Sequence, residues 1–142
     1  MKQVNLYFKN QHKGAGKNTR KGVYILEMIT TTEPVTLTGY LTTEDSTKNK
    51  ADILILIKAL ERIKMPVSLV IYTNNPYILT CLEKRKKQQE NWKNQKGESI
   101  TNIEEWMKVD NLLKPHTYNA VQGSHSYLNW MDEQLNERIE KK

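Results

Sequence analysis

The sequence predicts an α/β protein in which a mixed five-stranded sheet is flanked by helices. Three β-rich segments come first, and helices then alternate with two further strands, an order typical of three-layer α/β folds. The chain has 142 residues, which is enough for one hydrophobic core. We therefore expect a single domain over residues 1–142.

The N-terminal strands are predicted from alternating and β-branched segments. Residues 4–8 (VNLYF) alternate, and residues 11–21 read as a polar loop that contains glycine. The segments 22–31 and 33–42 are β-rich and are separated by a Glu-Pro turn signal, which predicts an antiparallel hairpin.

A helix and an interior strand are predicted next. Apolar residues recur at helical spacing within residues 46–64, and Ser46 or Thr47 is a suitable N-cap. These apolar residues are Ile53, Leu56, Ile57, Leu60 and Ile63. Residues 66–73 (PVSLVIYT) are mostly apolar, as in strands that are buried on both faces.

The second half of the chain predicts three helices and a short strand. Asn75 can cap a helix whose first position is Pro76, and this helix continues into the basic residues from position 84. A loop (94–101), a helix (102–113), a strand (116–122) and a helix (127–140) follow. The apolar face predicted for the helix over 102–113 consists of Ile103, Trp106, Met107 and Leu113.

Positive charge is concentrated in two segments of a chain with a formal net charge of +6. Residues 1–20 contain no acid, and residues 84–96 contain Glu90 alone. Such segments indicate a polyanion partner, usually phosphate, and Trp92 in the second segment is suited to stacking on a base. The alternative is a lysine-rich surface that serves solubility.

Several classes of protein are disfavoured by the composition. No run of about 18 apolar residues and no secretory signal is present, so we expect no membrane span. Cys81 is the single cysteine and predicts a buried or half-buried thiol in a reducing compartment, which favours a cytoplasmic protein. His12 and His116 lack metal-ligand spacing, and no nucleophilic triad, zinc pattern or phosphate-binding loop is found.

Asn74 stands at the mouth of the apolar strand, where ligands and catalytic groups usually lie in open α/β sheets. Around it, five segments follow one order that is found in a known family. LYFKN (6–10) resembles a strand that ends in Asp-Gly, and IYTNNPYI (71–78) resembles Thr-Asp-Ser-x-Tyr-Val. Residues 37–60 resemble a third strand and a Thr-Asn-Asn-Arg-x-Glu helix start, and NIEEW (102–106) resembles Asn-Val-Asp-Leu-Trp. Residues 121–135 resemble a Gly-His-x-Gly-His loop, an Asn and a final Asp. In these five segments the chain resembles the ribonuclease H family.

The resemblance implies a ribonuclease H-like fold and a family chemistry in which four carboxylates hold two Mg²⁺ ions. The four positions fall on Lys9, Asp52, Asn74 and Asp132. Asn74 lacks the charge of an aspartate, and Lys9 places a cation where a metal ion should bind. The resemblance therefore implies a catalytically degenerate site, a pseudoenzyme, with no Mg²⁺ cofactor or only weak Mg²⁺ binding at Asp52 and Asp132.

Other side chains are candidates for restoring the site. His125 can stand in for the mobile histidine of the family, and Glu44 or Asp45 can supply a missing carboxylate. A weakly active, Mg-dependent ribonuclease H therefore remains an alternative.

Nucleic acid, as a duplex or an RNA–DNA hybrid, is the partner that the resemblance implies. Residues 84–96 match the basic handle that grips a hybrid in some members, Asn49 matches an asparagine that contacts the minor groove, and Lys9 is a candidate phosphate contact. The candidate nucleic-acid-binding residues are Asn49, Lys84, Arg85, Lys86, Lys87, Trp92, Lys93, Lys96, Lys13 and Lys17. A second alternative is a protein-interaction module, such as a phage or mobile-element inhibitor of a nucleic-acid-handling host enzyme.

Overall fold

The computed structural model describes residues 2–11, 16–88, 102–123 and 126–140, with side chains except at 85–88 and 136–140. The elements follow the predicted order of three strands, a helix, a strand, two helices, a strand and a helix. They are β1 (Gln3–Asn10), β2 (Asn18–Met28), β3 (Val35–Ser46), α1 (Lys48–Leu60), β4 (Ser68–Tyr72), α2 (Pro76–Gln88), α3 (Ile103–Leu113), β5 (Thr117–Val121) and α4 (Leu128–Glu140).

The strands form one mixed sheet in the order β3-β2-β1-β4-β5. β1 and β2 pair antiparallel, as do β2 and β3, so the predicted hairpin is confirmed. β4 runs parallel to both β1 and β5. Because β1 and β4 are parallel neighbours, the residues that follow them, including Asn74, lie at one edge of the sheet.

The helices cover both faces of the sheet, which confirms the predicted three-layer architecture. α1, α2 and α3 pack over a large core on one face, to which β1 contributes Val4, Leu6 and Phe8. α4 covers the other face, where Met131 and Leu135 pack against Tyr7. Alternate residues of β1 therefore face different layers.

α1 is the central helix of the first layer. Eight of its residues are buried, and the one acid among them is Asp52. Thr47 caps the helix by accepting a hydrogen bond from the Lys50 backbone N–H at 3.2 Å. Ser46 is not the cap, because it is the last residue of β3.

Some predicted boundaries are wrong. The predicted loop over 11–21 includes four residues of β2, which begins at Asn18. Arg20 explains the extension, because its fully buried guanidinium donates to the carbonyl oxygens of Gln11, Gly16 and Ser46. The first helix is also shorter than predicted, and β1 continues to Asn10.

The predicted apolar face of α3 contains one error. Met107 is 49% exposed, whereas Val109 is buried together with Trp106 and Leu113. Cys81 is half-buried, as predicted, and burial raises the pKa of its thiol. Within the described residues, no helix is long and apolar enough to cross a membrane.

Candidate functional site

A polar cleft lies at the sheet edge where β1 and β4 end. Its volume is about 250 Å³, and the amino-terminal ends of α1 and α2 form part of its wall. The lining residues are Phe8, Lys9, Asn10, Lys48, Asp52, Tyr72, Thr73, Asn74, Asn75, Gly123 and Leu128. Three of the four predicted site positions therefore line one cleft, and the fourth, Asp132, is bonded to Lys9.

Lys9 and Asp132 form an ion pair at the mouth of this cleft. The Lys9 Nζ lies 2.5 Å from Asp132 Oδ1, and both side chains are more than one-third exposed. The pair joins the end of β1 to α4, on the face of the sheet that α4 covers. Among the described residues, the Lys9 ammonium group is thus the cation that contacts the Asp132 carboxylate.

Asp52 lies deeper and is held by side chains of this chain. Its Oδ1 accepts a hydrogen bond from Asn10 Nδ2 at 2.8 Å. Its Oδ2 accepts one from Asn75 Nδ2 at 2.7 Å and one from Lys48 Nζ at 3.2 Å. With the Asp52 side chain only 4% exposed, these donors replace the water that an ionised carboxylate requires.

Asn75 has two roles at this point. Its Oδ1 accepts a hydrogen bond from the Tyr77 backbone N–H at 3.0 Å, which confirms it as the cap of α2. Its Nδ2 bridges Asp52 and the Asn49 Oδ1, the latter at 3.0 Å. The cap of one helix therefore also holds the first turn of another.

Asn10 occupies space that Gly22 leaves open on the neighbouring strand. A Cβ added at Gly22 would lie 2.4 Å from Asn10 Oδ1. The same oxygen is buried and has no hydrogen-bond partner in the described part of the chain. Asn10 therefore gives up one hydrogen bond in order to direct its Nδ2 towards Asp52.

Asn74, which follows β4, is hydrogen-bonded to the segment that precedes α4. Its Oδ1 accepts a hydrogen bond from the Gly123 backbone N–H at 3.0 Å, and its side chain is exposed to solvent. An amide can both accept this bond and donate through Nδ2, whereas an ionised aspartate can only accept.

The residues of the cleft do not fit a pair of divalent cations. Lys9 is positively charged, Asn74 is neutral, and the carboxylates of Asp52 and Asp132 are bound by donors of this chain. Among the described residues, no group of three or more His, Cys, Asp or Glu side chains converges. Glu44 and Asp45 are exposed at the end of β3 and do not line the cleft.

A second polar cluster lies on the α4 face of the sheet. The Glu27 carboxylate accepts hydrogen bonds from Asn5 Nδ2, Tyr7 Oη and Tyr127 Oη. Burial opposes ionisation of Glu27, but these bonds outweigh it and lower its pKa below the usual value. The bond to Glu27 and burial raise the pKa of Tyr127 to about 12, so Tyr127 remains a donor that ties the start of α4 to the sheet.

Only some of the predicted nucleic-acid-binding residues lie in the part of the chain that the structure describes. Lys84 is exposed on α2, Lys17 is exposed before β2, and Asn49 is bonded to Asn75 at the first turn of α1. Positions 85–87 extend α2, but the side chains of Arg85, Lys86 and Lys87 are not described. Lys13, Trp92, Lys93, Lys96 and His125 lie outside the described residues, as does His12.

The remaining histidine, His116, has a structural role. Its Nδ1 accepts a hydrogen bond from the Val67 backbone N–H at 3.1 Å, and burial lowers its pKa. A neutral imidazole is required for this acceptor role. The strand predicted over 116–122 begins one residue later, at Thr117, so His116 lies just before β5.

Asn10 and Lys48 were not predicted as site residues, and Asn75 was predicted only as a helix cap. A signal for Asn10 was present, because LYFKN replaces both residues of the Asp-Gly pair that it resembles. Lys48 carried no signal of its own, since a lysine in the first turn of a helix is usually a surface residue.

Comparisons with known proteins agree with this architecture. A family model described as RNase H matches residues 3–126. The ribonuclease H of Clostridium botulinum (strain Hall) is 24% identical over 148 residues, covering 99% of this chain and 98% of that protein.

LC9-RNase H1 and LC11-RNase H1 are two of the solved structures that have a similar fold. LC9-RNase H1, a type 1 RNase H with the type 2 active-site motif, has a TM-score of 0.72 at 17% identity, over 97% of this chain and 70% of that one. LC11-RNase H1, solved in complex with RNA/DNA hybrid, has a TM-score of 0.65 at 17% identity, over 97% of each chain. The five-stranded mixed sheet and the family match over most of the sequence lead to one conclusion: this chain belongs to the ribonuclease H family.

Proposed function

We propose that this protein binds nucleic acid, as a duplex or an RNA–DNA hybrid, without cleaving it. The observation that carries the proposal is the ion pair between Lys9 and Asp132, at the place where the family chemistry requires carboxylates around metal ions. A fixed ammonium group repels a divalent cation from the same carboxylate. Asp52 is likewise engaged, because both of its oxygens accept hydrogen bonds from side chains of this chain.

Loss of cleavage does not remove the means of binding. The described surface carries exposed cations before β2 and on α2, at Lys17 and Lys84, and further cations lie close to each of them in the sequence. Lysine and arginine bind phosphates without regard to base sequence and release counterions in doing so. LC11-RNase H1, whose fold this chain shares, was solved with an RNA/DNA hybrid, which supports the same class of ligand here.

The proposal predicts that the basic part of α2 contributes to binding. Changing Lys84, Arg85, Lys86 and Lys87 to glutamine should weaken binding of every sequence tested. The slope of log affinity against log salt should decrease by about 0.9 for each phosphate of B-form DNA that the variant no longer neutralises, and by less on single strands. Fluorescence anisotropy with labelled DNA duplex and RNA–DNA hybrid at several salt concentrations measures both quantities.

A matched control removes four exposed lysines elsewhere, at Lys58, Lys64, Lys108 and Lys114. This variant has the same net charge as the first one, so a difference between them isolates the position of the charges. Equal slopes for the two variants would remove α2 from the interface. Absence of binding by the unmodified protein at low salt would contradict the proposed function and favour a protein-interaction module.

A further inference from the structure

We propose that the cleft binds a phosphodiester group directly through Lys9, Lys48 and Asn74, and that it does so without a divalent cation. This inference rests on the proposed function, because it concerns where and how the nucleic-acid backbone is held. It goes further in making the binding independent of metal, and in assigning Lys48 and Asn74 as phosphate contacts.

The formal charge of the cleft differs from that of a site with four carboxylates. Four carboxylates without metal carry four negative charges, and they repel a phosphate until cations neutralise them. Here the charged side chains at the cleft are Lys9, Lys48, Asp52 and Asp132, whose formal charges sum to zero. A phosphate can therefore approach this cleft without a metal ion to neutralise it.

The charged side chains of the cleft differ in their exposure to solvent. The Asp52 side chain is 4% exposed and its oxygens are occupied, while the side chains of Lys9 and Lys48 are 37% and 39% exposed. Each ammonium group has three N–H donors and one identified carboxylate partner. The cleft therefore presents positive donors to a ligand and keeps the Asp52 carboxylate behind them.

The side-chain amide of Asn74 and the amino-terminal ends of α1 and α2 also favour an anion in the cleft. Asn74 accepts from Gly123 through Oδ1, so its Nδ2 is the group left to donate. α1 and α2 both begin at the cleft, and neither has an acidic residue in its first turn. The partial positive charge of these helix ends adds to the attraction of the two ammonium groups for an anion.

The test measures binding of a labelled RNA–DNA hybrid by anisotropy in EDTA and in Mg²⁺ at matched ionic strength. We expect the unmodified protein to bind at least as tightly in EDTA as in Mg²⁺. Lys48→Gln should weaken binding about eightfold near 0.1 M salt, the effect of one phosphate contact with a slope of about 0.9. Lys58→Gln, at the opposite end of the same helix and about 15 Å away, is the matched control and should change affinity by less than about twofold.

A second variant tests Lys9 without unbalancing the charges. Lys9→Gln combined with Asp132→Asn removes one positive and one negative charge, so weaker binding reports the loss of the Lys9 ammonium group rather than a change in net charge. Both side chains are more than one-third exposed, and thermal melting confirms that the variant is folded. Asn74→Asp should weaken binding as well, because it replaces a donor with a second acceptor.

The outcomes separate this inference from the proposed function. Binding that requires Mg²⁺ would overturn the inference and leave nucleic-acid binding intact. Binding in EDTA that neither the Lys48 variant nor the Lys9–Asp132 variant weakens would overturn the cleft as the phosphate site. No binding under either condition would overturn both.

Discussion

Replacing Asp52 with alanine should lower the free energy of unfolding by about 3 kcal/mol. The change removes an acceptor from Asn10 and Asn75. It leaves the buried Asn10 amide donor and the Lys48 ammonium group without their partner, and it leaves Asn75 Nδ2 bonded to Asn49 Oδ1 alone. Charged hydrogen bonds of this kind contribute about 1.5–3 kcal/mol each. In a site of four mutually repelling carboxylates without metal, removing one carboxylate should instead relieve repulsion. Urea unfolding in EDTA measures the difference.

Two controls show whether the contacts of Asp52 cause the loss. Asp52→Asn should cost only about 1 kcal/mol. The oxygen of the new amide can accept from Asn75, and a rotation of the Asn10 amide by about 180° lets Asn10 Oδ1 accept from the nitrogen of the new amide. Asp132→Ala removes a carboxylate whose side chain is 45% exposed, and should cost less than about 1 kcal/mol. If Asp52→Ala stabilised the protein in EDTA, Asp52 would not be held as described.

Restoring the family's charges should create metal-dependent stability. The triple variant Lys9→Asp, Asn10→Gly and Asn74→Asp adds two carboxylates to those of Asp52 and Asp132, so that four lie around the cleft. It should be less stable than the unmodified protein in EDTA, because like charges repel, and should recover in Mg²⁺. At a Mg²⁺ concentration of about 100 times Kd, linkage stabilises the folded state by about 2.7 kcal/mol, which raises Tm by about 5–10 °C.

The role of Asn10 makes this prediction specific. The double variant Lys9→Asp with Asn74→Asp keeps Asn10, whose Nδ2 still donates to Asp52 Oδ1. The Tm of this double variant should therefore rise less in Mg²⁺ than the Tm of the triple variant. Equal responses would show that Asn10 does not block the metal. No response from the triple variant would show that the four positions do not converge, and the register of the family match would then be wrong at this site.

The order of the elements was predictable because each has a local cause. The alternation in 4–8, the apolar run in 66–73 and the Asn-Pro start of α2 specify their elements without tertiary contacts. The boundaries that failed depend on distant partners. Arg20 belongs to β2 because its guanidinium bonds carbonyl groups on three other segments, which no local pattern reveals.

The site was predictable in position but not in its contacts. Lys9, Asp52, Asn74 and Asp132 came from the family register, and the structure brings them to one edge of the sheet. The sequence could not show that Lys9 pairs with Asp132 or that Asn10 donates to Asp52. Lys9 and Asn10 are adjacent in a strand and face opposite sides of the sheet, and the partner of each is distant in the chain. The Glu27 cluster also escaped prediction, since its hydrogen bonds join residues 20, 22 and 100 positions apart.

The most direct test of the central claim incubates the unmodified protein with an end-labelled RNA–DNA hybrid in Mg²⁺. The bound fraction and the length of the RNA strand are then measured in the same sample. We predict that the hybrid is bound and that its RNA strand remains intact. Shortened RNA, produced by the unmodified protein but not by an Asp132→Asn variant purified in parallel, would contradict the claim.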